Sequence, residues 1–237
     1  MNSKLLFVLV CMASFVLNAS AQFSNSGSSG TNTVGDNTGW TTVYAEWNPS
    51  SFHWRDGYSS GKSGKGSAGF NGSSLGVTLG VSWAISLASA TPIFIEPAVA
   101  LQYSTKKVGY YNYYDSNINW DHYDIDYYDI GRLHMLSVKV PVNFIYKYDF
   151  SSHPVSLMPF AGITLRVNAW GEVFINGNHD DLFDEYEFKR FQIGWQVGLK
   201  ARMSDKFIVG GSFGTDFNRI HYLVKVHTGT IMLGYSF

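Results

Sequence analysis

Residues 227–237 read HTGTIMLGYSF, and they run to the last residue of the chain. Gly229, Ile231, Leu233, Tyr235 and Phe237 alternate with Thr228, Thr230, Met232, Gly234 and Ser236. The first set is mostly apolar with an aromatic end, and the second is mostly small or polar. A period of two places the sets on opposite faces of one extended strand. One face is suited to an apolar medium and the other is not.

The same alternation recurs upstream. Ile193, Trp195, Val197, Leu199, Ala201 and Met203 oppose Gln192, Gly194, Gln196, Gly198, Lys200 and Arg202. Leu136, Val138, Val140, Val142, Phe144, Tyr146 and Tyr148 oppose a set containing Lys139, Asn143 and Lys147. Leu75, Val77, Leu79, Val81, Trp83 and Ile85 oppose Ser74, Gly76, Thr78, Gly80, Ser82 and Ala84. About eight such segments are expected, near 40–50, 70–87, 92–105, 134–150, 155–170, 190–203, 207–218 and 226–237. Strands of a soluble sandwich are usually about five or six residues. These approach the roughly nine to eleven needed to cross a bilayer at a tilt.

The connections sharpen the reading. Ala88–Thr91, Ser151–Pro154 and Ser204–Lys206 are short and turn-like. They alternate with long segments at 55–69, 108–133, 171–189 and 219–225. Strict alternation collects every long loop at one end. An up-and-down transmembrane β-barrel has this plan, with short periplasmic turns and longer outer loops. Outward aromatics are expected in two girdles: Trp83, Tyr148, Phe207, Tyr235 and Phe237 at the short-turn end, and Tyr103, Phe191 and Phe217 at the other.

The chain begins with features of an export signal. Lys4 precedes apolar runs at Leu5–Val10 and Met12–Leu17, and Ala19-Ser20-Ala21 fits a small-x-small cleavage site. The expected organisation is a signal peptide at 1–21, a flexible Ser/Gly/Asn-rich lead-in at 22–39 and a barrel at 40–237. The only cysteine, Cys11, lies in the apolar run, so the mature chain is expected to have no thiol chemistry. Without Lys4, 16 basic residues face 18 acidic ones. That balance leaves no basic stripe for nucleic acid. Mean hydropathy is −0.05, so apolar residues must be dispersed in alternation rather than gathered in spanning helices.

With these features in place, the chain resembles the small outer-membrane β-barrels of the OmpA/OmpX kind common in Bacteroidetes, a group that includes PorT-like proteins. The resemblance rests on the ASAQ end of the leader, LSVKVPVNFIYKY at 136–148, MPFAGI at 158–163 and the terminal Phe. It implies an outer-membrane location in a Gram-negative envelope and contact with lipid. It also implies recognition of Leu233, Tyr235 and Phe237 by the barrel insertion machinery. PorT-like proteins proper are linked to protein secretion.

Candidate chemistry lies in the lumen and the outer loops. Strand parity turns Glu46, Glu96, Lys139, Lys147, Arg166, Lys200, Arg202 and Asp216 inward. An eight-stranded barrel has an interior just wide enough for side chains. Charges there must pair, because an isolated buried charge is costly. Glu46 and Glu96 are each expected to meet an inward Lys or Arg, with Lys139 or Arg166 reaching Glu46. The alternatives are a closed polar plug and a narrow path for ions or small solutes.

The 108–133 segment holds seven tyrosines and five aspartates. Tyr110, Tyr111, Tyr113, Tyr114, Trp120, Tyr123, Tyr127 and Tyr128 offer flat amphipathic area suited to a glycan or protein ligand. An extended hairpin and a merely soluble loop are the competing readings. Asp121, Asp124, Asp126 and Asp129 supply hard oxygen ligands, but their order does not match a calcium loop. No metal or other cofactor is therefore assigned. His179, Asp180 and Asp181, or His221, His227 and Thr228, would be the places to seek a hydrolase site. No motif surrounds either group, and the expected protein is not an enzyme.

Overall fold

The computed structural model describes residues 39–54, 67–69, 72–88, 91–111, 127–150, 154–175, 178–184, 187–220 and 224–237. The leader and lead-in at 1–38 lie outside them. Among the described residues twelve strands follow one another: β1 (Trp40–Trp47), β2 (Ser50–Trp54), β3 (Ser67–Gly69), β4 (Gly72–Ser86), β5 (Ile93–Tyr111), β6 (Tyr127–Tyr146), β7 (Tyr148–Asp149), β8 (Val155–Ile175), β9 (Asn178–Asp181), β10 (Phe191–Met203), β11 (Phe207–Asp216) and β12 (Val224–Ser236).

They form eight antiparallel staves. β1 with β2 makes the first, β3 with β4 the second, and β6 with β7 the fourth. The sheet closes on itself where β1 pairs with β12, from Thr42 opposite Ser236 to Trp47 opposite Ile231. Closure gives every stave two neighbours, so the backbone N–H and C=O groups are satisfied without water. The first stave is broken at Asn48 and Pro49, where Pro has no N–H to give. The Asn48 N–H donates to the Gly76 carbonyl at 2.8 Å, and the Pro49 carbonyl accepts from the Gly229 N–H at 3.0 Å.

The short connection between β10 and β11 is tight. Ser204 and Asp205 have φ of 50° and 57°. The Lys206 N–H donates to the Met203 carbonyl at 3.1 Å across them. Two left-handed central residues match the twist of the flanking strands, which is why such turns favour hairpins.

The staves outrun the expected spans on the long-loop side. β5 and β6 continue to Tyr111 and back from Tyr127, paired through Tyr110 opposite Tyr128. β8 continues to Ile175 and turns into β9. The segments 108–133 and 171–189 are thus partly strand, which favours the extended-hairpin reading of the first. Alternation weakens there because both faces of a protruding hairpin can be polar.

One irregularity reorganises the outer end of β8. Leu136 faces Trp170 and Ser137 faces Asn168, so Ala169 is an extra residue. Such a bulge shifts the inward set by one. Below it Thr164, Arg166 and Asn168 are buried; above it Gly171 and Val173 are.

Outward parity produces the apolar wall. Leu79 is 68% exposed and Leu233 63%. Tyr148, Phe207, Tyr235 and Phe237 are exposed at the short-turn end, and Tyr103, Phe191 and Phe217 at the other. Trp83 departs from the expected girdle, being only 8% exposed. It lies where the β4–β5 ladder is interrupted between Ser82 and Ile85, beside Pro97.

Candidate functional site: the barrel lumen

Inward side chains stack in layers. The short-turn end is filled by an apolar cluster that includes Trp40, Tyr44, Phe94, Ile145, Met158, Phe160, Ile208 and Met232. Trp40 and Phe94 pack at 4.7 Å between ring centroids. Large rings fit because small residues face them. A Cβ on Gly80 would lie 2.7 Å from the Tyr44 ring, and one on Gly198 would lie 2.5 Å from the Phe160 ring.

Above this layer lies a charged belt with two nodes in its lower part. Glu96 accepts from the Ser82 hydroxyl at 3.0 Å and from the Asn143 amide at 3.1 Å, and it pairs with Lys200 from across the lumen. Gln196 donates to Asn143 at 2.7 Å and extends the node. The Lys200 ammonium also rests 4.9 Å from the Phe160 ring centroid. Glu46 accepts from Lys139 at 3.2 Å and from Asn48 at 3.2 Å. Asn48 in turn donates to Thr230 and accepts from Thr78. Carboxylates with several donors are the form in which buried charge is tolerated.

A third node lies toward the long-loop end. Arg166 meets Asp216 at 3.2 Å and Gln192 at 3.2 Å through its two terminal nitrogens. Asn168 links Ser137 to Gln192 and to the Lys189 carbonyl. The structure thus assigns Arg166 to Asp216, and of the two cations considered for Glu46 it selects Lys139.

Two expected members stand apart from these nodes. Lys147 bonds Asp149 at 3.0 Å, near the short-turn rim. Both residues share one face, two positions apart, so this pair forms locally. Arg202 donates to the Asp205 carbonyl at 3.1 and 2.7 Å and lies 4.7 Å over the Trp40 ring. Its guanidinium satisfies a turn rather than a lumenal carboxylate, because it emerges at the rim where that turn begins.

The outer mouth holds a second apolar cluster absent from the sequence reading. Leu133, Met135, Val173, Leu182, Phe188, Ile220 and Val226 pack together, with Phe183 against them. Leu182 and Phe188 come from the acidic 176–190 connection. The Leu182 N–H donates to the Gly171 carbonyl at 3.2 Å, and the Phe188 N–H to the Leu182 carbonyl at 3.1 Å. Asp181 accepts from the N–H groups of Phe183 and Asp184, which caps the turn. Arg190 lies 4.0 Å over the Phe183 ring. Apolar residues set among acids, as in DDLFDEYEF, were the available signal: a wholly solvated loop has no reason to carry them.

Of the hydrolase candidates, Asp181, His179 and His227 are engaged by other groups. Asp181 is occupied by its turn, and His179 meets Glu172 at 3.6 Å beside the Phe174 ring. His227 stacks on Phe213, and His221 lies outside the described residues. Among the described residues, no group of three or more His, Cys, Asp or Glu could hold a metal ion. Tyr113, Tyr114, Trp120, Tyr123 and three of the four aspartates, Asp121, Asp124 and Asp126, lie outside the described residues. Tyr110, Tyr111, Tyr127, Tyr128 and Asp129 are placed by backbone pairing alone.

At the wall, the Phe237 N–H donates to the Thr41 carbonyl at 2.9 Å. Its ring meets Tyr235 edge-on at 5.2 Å, and Tyr235 meets Phe207 at 5.5 Å. Leu233, Tyr235 and Phe237 therefore form one outward row beside the closing seam.

The solved structure of the attachment invasion locus protein Ail of Yersinia pestis is similar at 13% identity, with a TM-score of 0.45, over 84% of this chain and 99% of that one. Neisserial surface protein A is similar at 14% identity and a TM-score of 0.40, over 83% and 95%. The outer membrane protein OprG from Pseudomonas aeruginosa is similar at 9% identity and a TM-score of 0.42, over 85% and 97%. No curated protein matches the sequence. The family model described as outer membrane protein beta-barrel domain matches residues 7–237, and the chain belongs to that family.

Proposed function

We propose that this barrel is a non-catalytic, closed scaffold that presents its long connections at the outer surface of a Gram-negative cell. The observation that supports this most directly is the layered lumen. An apolar cluster at each end encloses a belt of paired charges. Eight strands leave little room beyond side chains, and two cavities among the described residues of the interior measure about 20 Å³ each. Solute passage would have to break ion pairs and displace packed rings.

The partner reading rests on composition. The Tyr- and Asp-rich connection between β5 and β6 offers amphipathic rings to a surface glycan or protein. An envelope role linked to secretion, as the PorT-like resemblance suggests, would need a protein partner in the same membrane. Cleavage after Ala21 and recognition of the Phe237 row by the insertion machinery complete the proposal.

Two measurements test it. The purified barrel in planar bilayers is expected to show no steady conductance, and a large steady current would establish the channel alternative. Crosslinking in the native outer membrane, with and without residues 112–126, is expected to show a partner that depends on that segment. Identical crosslinks with and without the segment would remove the loop from the proposal.

A further inference from the structure

Two small cavities interrupt the packing of the charged belt, and they differ in one respect. The lower is lined by Glu46, Glu96, Asn143 and Lys200, among others. None of its buried polar side-chain atoms is left without a partner among the described residues. The upper is lined by Gln102, Thr164, Arg166 and Asp216, among others. Each of these four is more than nine-tenths buried, and each keeps one polar atom unpartnered: Gln102 Oε1, Thr164 Oγ1, Arg166 Nε and Asp216 Oδ2.

Orphaned buried polar atoms are costly, about 1–3 kcal/mol each. Four such atoms belong to residues that line one cavity. They include a charged donor, a hydroxyl able to give or take, and two acceptors. A cation would be opposed by Arg166 and Lys139 and an anion by Asp216, and both lining cations already have a carboxylate partner, Asp216 for Arg166 and Glu46 for Lys139. The set suits a small neutral molecule that both donates and accepts. The cavity measures about 20 Å³. About 10–15 Å³ seats one water.

Backbone register keeps the space open. Gly194 lies between Thr164 on β8 and Asp216 on β11. A Cβ there would lie 2.9 Å from Asp216 Oδ1 and 2.7 Å from the Thr215 carbonyl. Any other residue would crowd the Arg166–Asp216 pair from within the wall.

We infer that the upper cavity is a specific binding site for ordered water, which bridges the Arg166–Asp216 pair to Gln102 and Thr164. The lower cavity, whose polar groups satisfy one another, is not such a site. This inference stands independently of what the outer connections engage. It makes the Arg166–Asp216 pair a hydrated one, while the Glu96–Lys200 pair is made by protein groups alone.

The test uses the full mature barrel. A high-resolution crystal structure is expected to show water within about 3.2 Å of both Arg166 Nε and Asp216 Oδ2. In lipid bilayers, magnetisation is expected to pass from water to the Arg166 Nε–H, a signal identified by its loss in Arg166→Lys. If that variant does not fold, water density in the unaltered protein decides. The inference is overturned if those atoms pair directly with side chains and no water intervenes, or if water occupies the lower cavity and not the upper. Conductance on the same preparation separates this result from the closed-lumen proposal, since an open pore would carry current whatever this cavity holds.

Discussion

The two ends of the lumen are both closed by apolar side chains, but they are built differently. At the short-turn end the filling comes from the strands themselves, with Trp40, Phe94, Ile145, Met158 and Ile208 all on β1, β5, β6, β8 or β11. At the outer mouth three of the seven buried members, Leu182, Phe188 and Ile220, lie on connections. A strand residue is held by ladders on both sides. A connection residue is held by its own turn and by what it buries. The lower end therefore opens only if the barrel does, whereas the outer end can loosen while the barrel stays whole.

The largest effect should come from the lower charged node. Glu96→Gln leaves Lys200 buried without its counter-charge and is expected to lower stability by about 3–5 kcal/mol. A second change, Lys200→Gln, should recover part of the loss, which a double-mutant cycle from urea midpoints would measure. A loss below about 1 kcal/mol would mean that the lower end relaxes as freely as a loop.

Next come the two apolar ends, tested as a pair. Met158→Ala removes a fully buried strand side chain and should cost about 2–5 kcal/mol. Leu182→Ala removes an equally buried one from the outer cluster, yet its connection can rearrange around the void, so the low end, about 2 kcal/mol, is expected. Limited proteolysis should then cut between 176 and 190 while the barrel keeps its heat-modifiable migration. Equal losses with no added cleavage would erase the distinction between the ends.

The smallest change in final stability should follow deletion of Phe237. One backbone hydrogen bond and one edge-on ring contact disappear, worth about 1–3 kcal/mol together. Insertion into the outer membrane should fall much further, read as the heat-modifiable fraction in cells. Normal insertion would show that the row ending in Phe237 is only part of the wall.

The same contrast explains what could be read from the sequence. The barrel staves were legible because one face meets lipid and the other the lumen, which forces a strict period of two in segments such as Ile193–Met203. The inward charges were legible from that parity. Which charges meet was less so, because partners such as Glu96 and Lys200 lie 104 positions apart and approach across the lumen. Arg202 was placed in the belt because parity says nothing of height, and its height takes it to a turn. The outer cluster escaped notice because Leu182 and Phe188 follow no period. Their burial depends on a turn capped by Asp181, which only the folded chain displays.

The extra residue at Ala169 means that β8 is written in two phases, even positions facing inward before it and odd positions after. The fourteen residues Ser156–Ala169 and the six that follow, Trp170–Ile175, therefore obey opposite rules for which substitutions they accept. A chain lacking Ala169 would close the bulge and run in a single phase, with Asn168, Gly171 and Val173 still inward and Trp170, Glu172 and Phe174 still outward. The extra residue at 169 can therefore be lost without changing which side chains face the lumen, whereas loss of one residue elsewhere between Ser156 and Val173 turns the residues on one side of it to the opposite face.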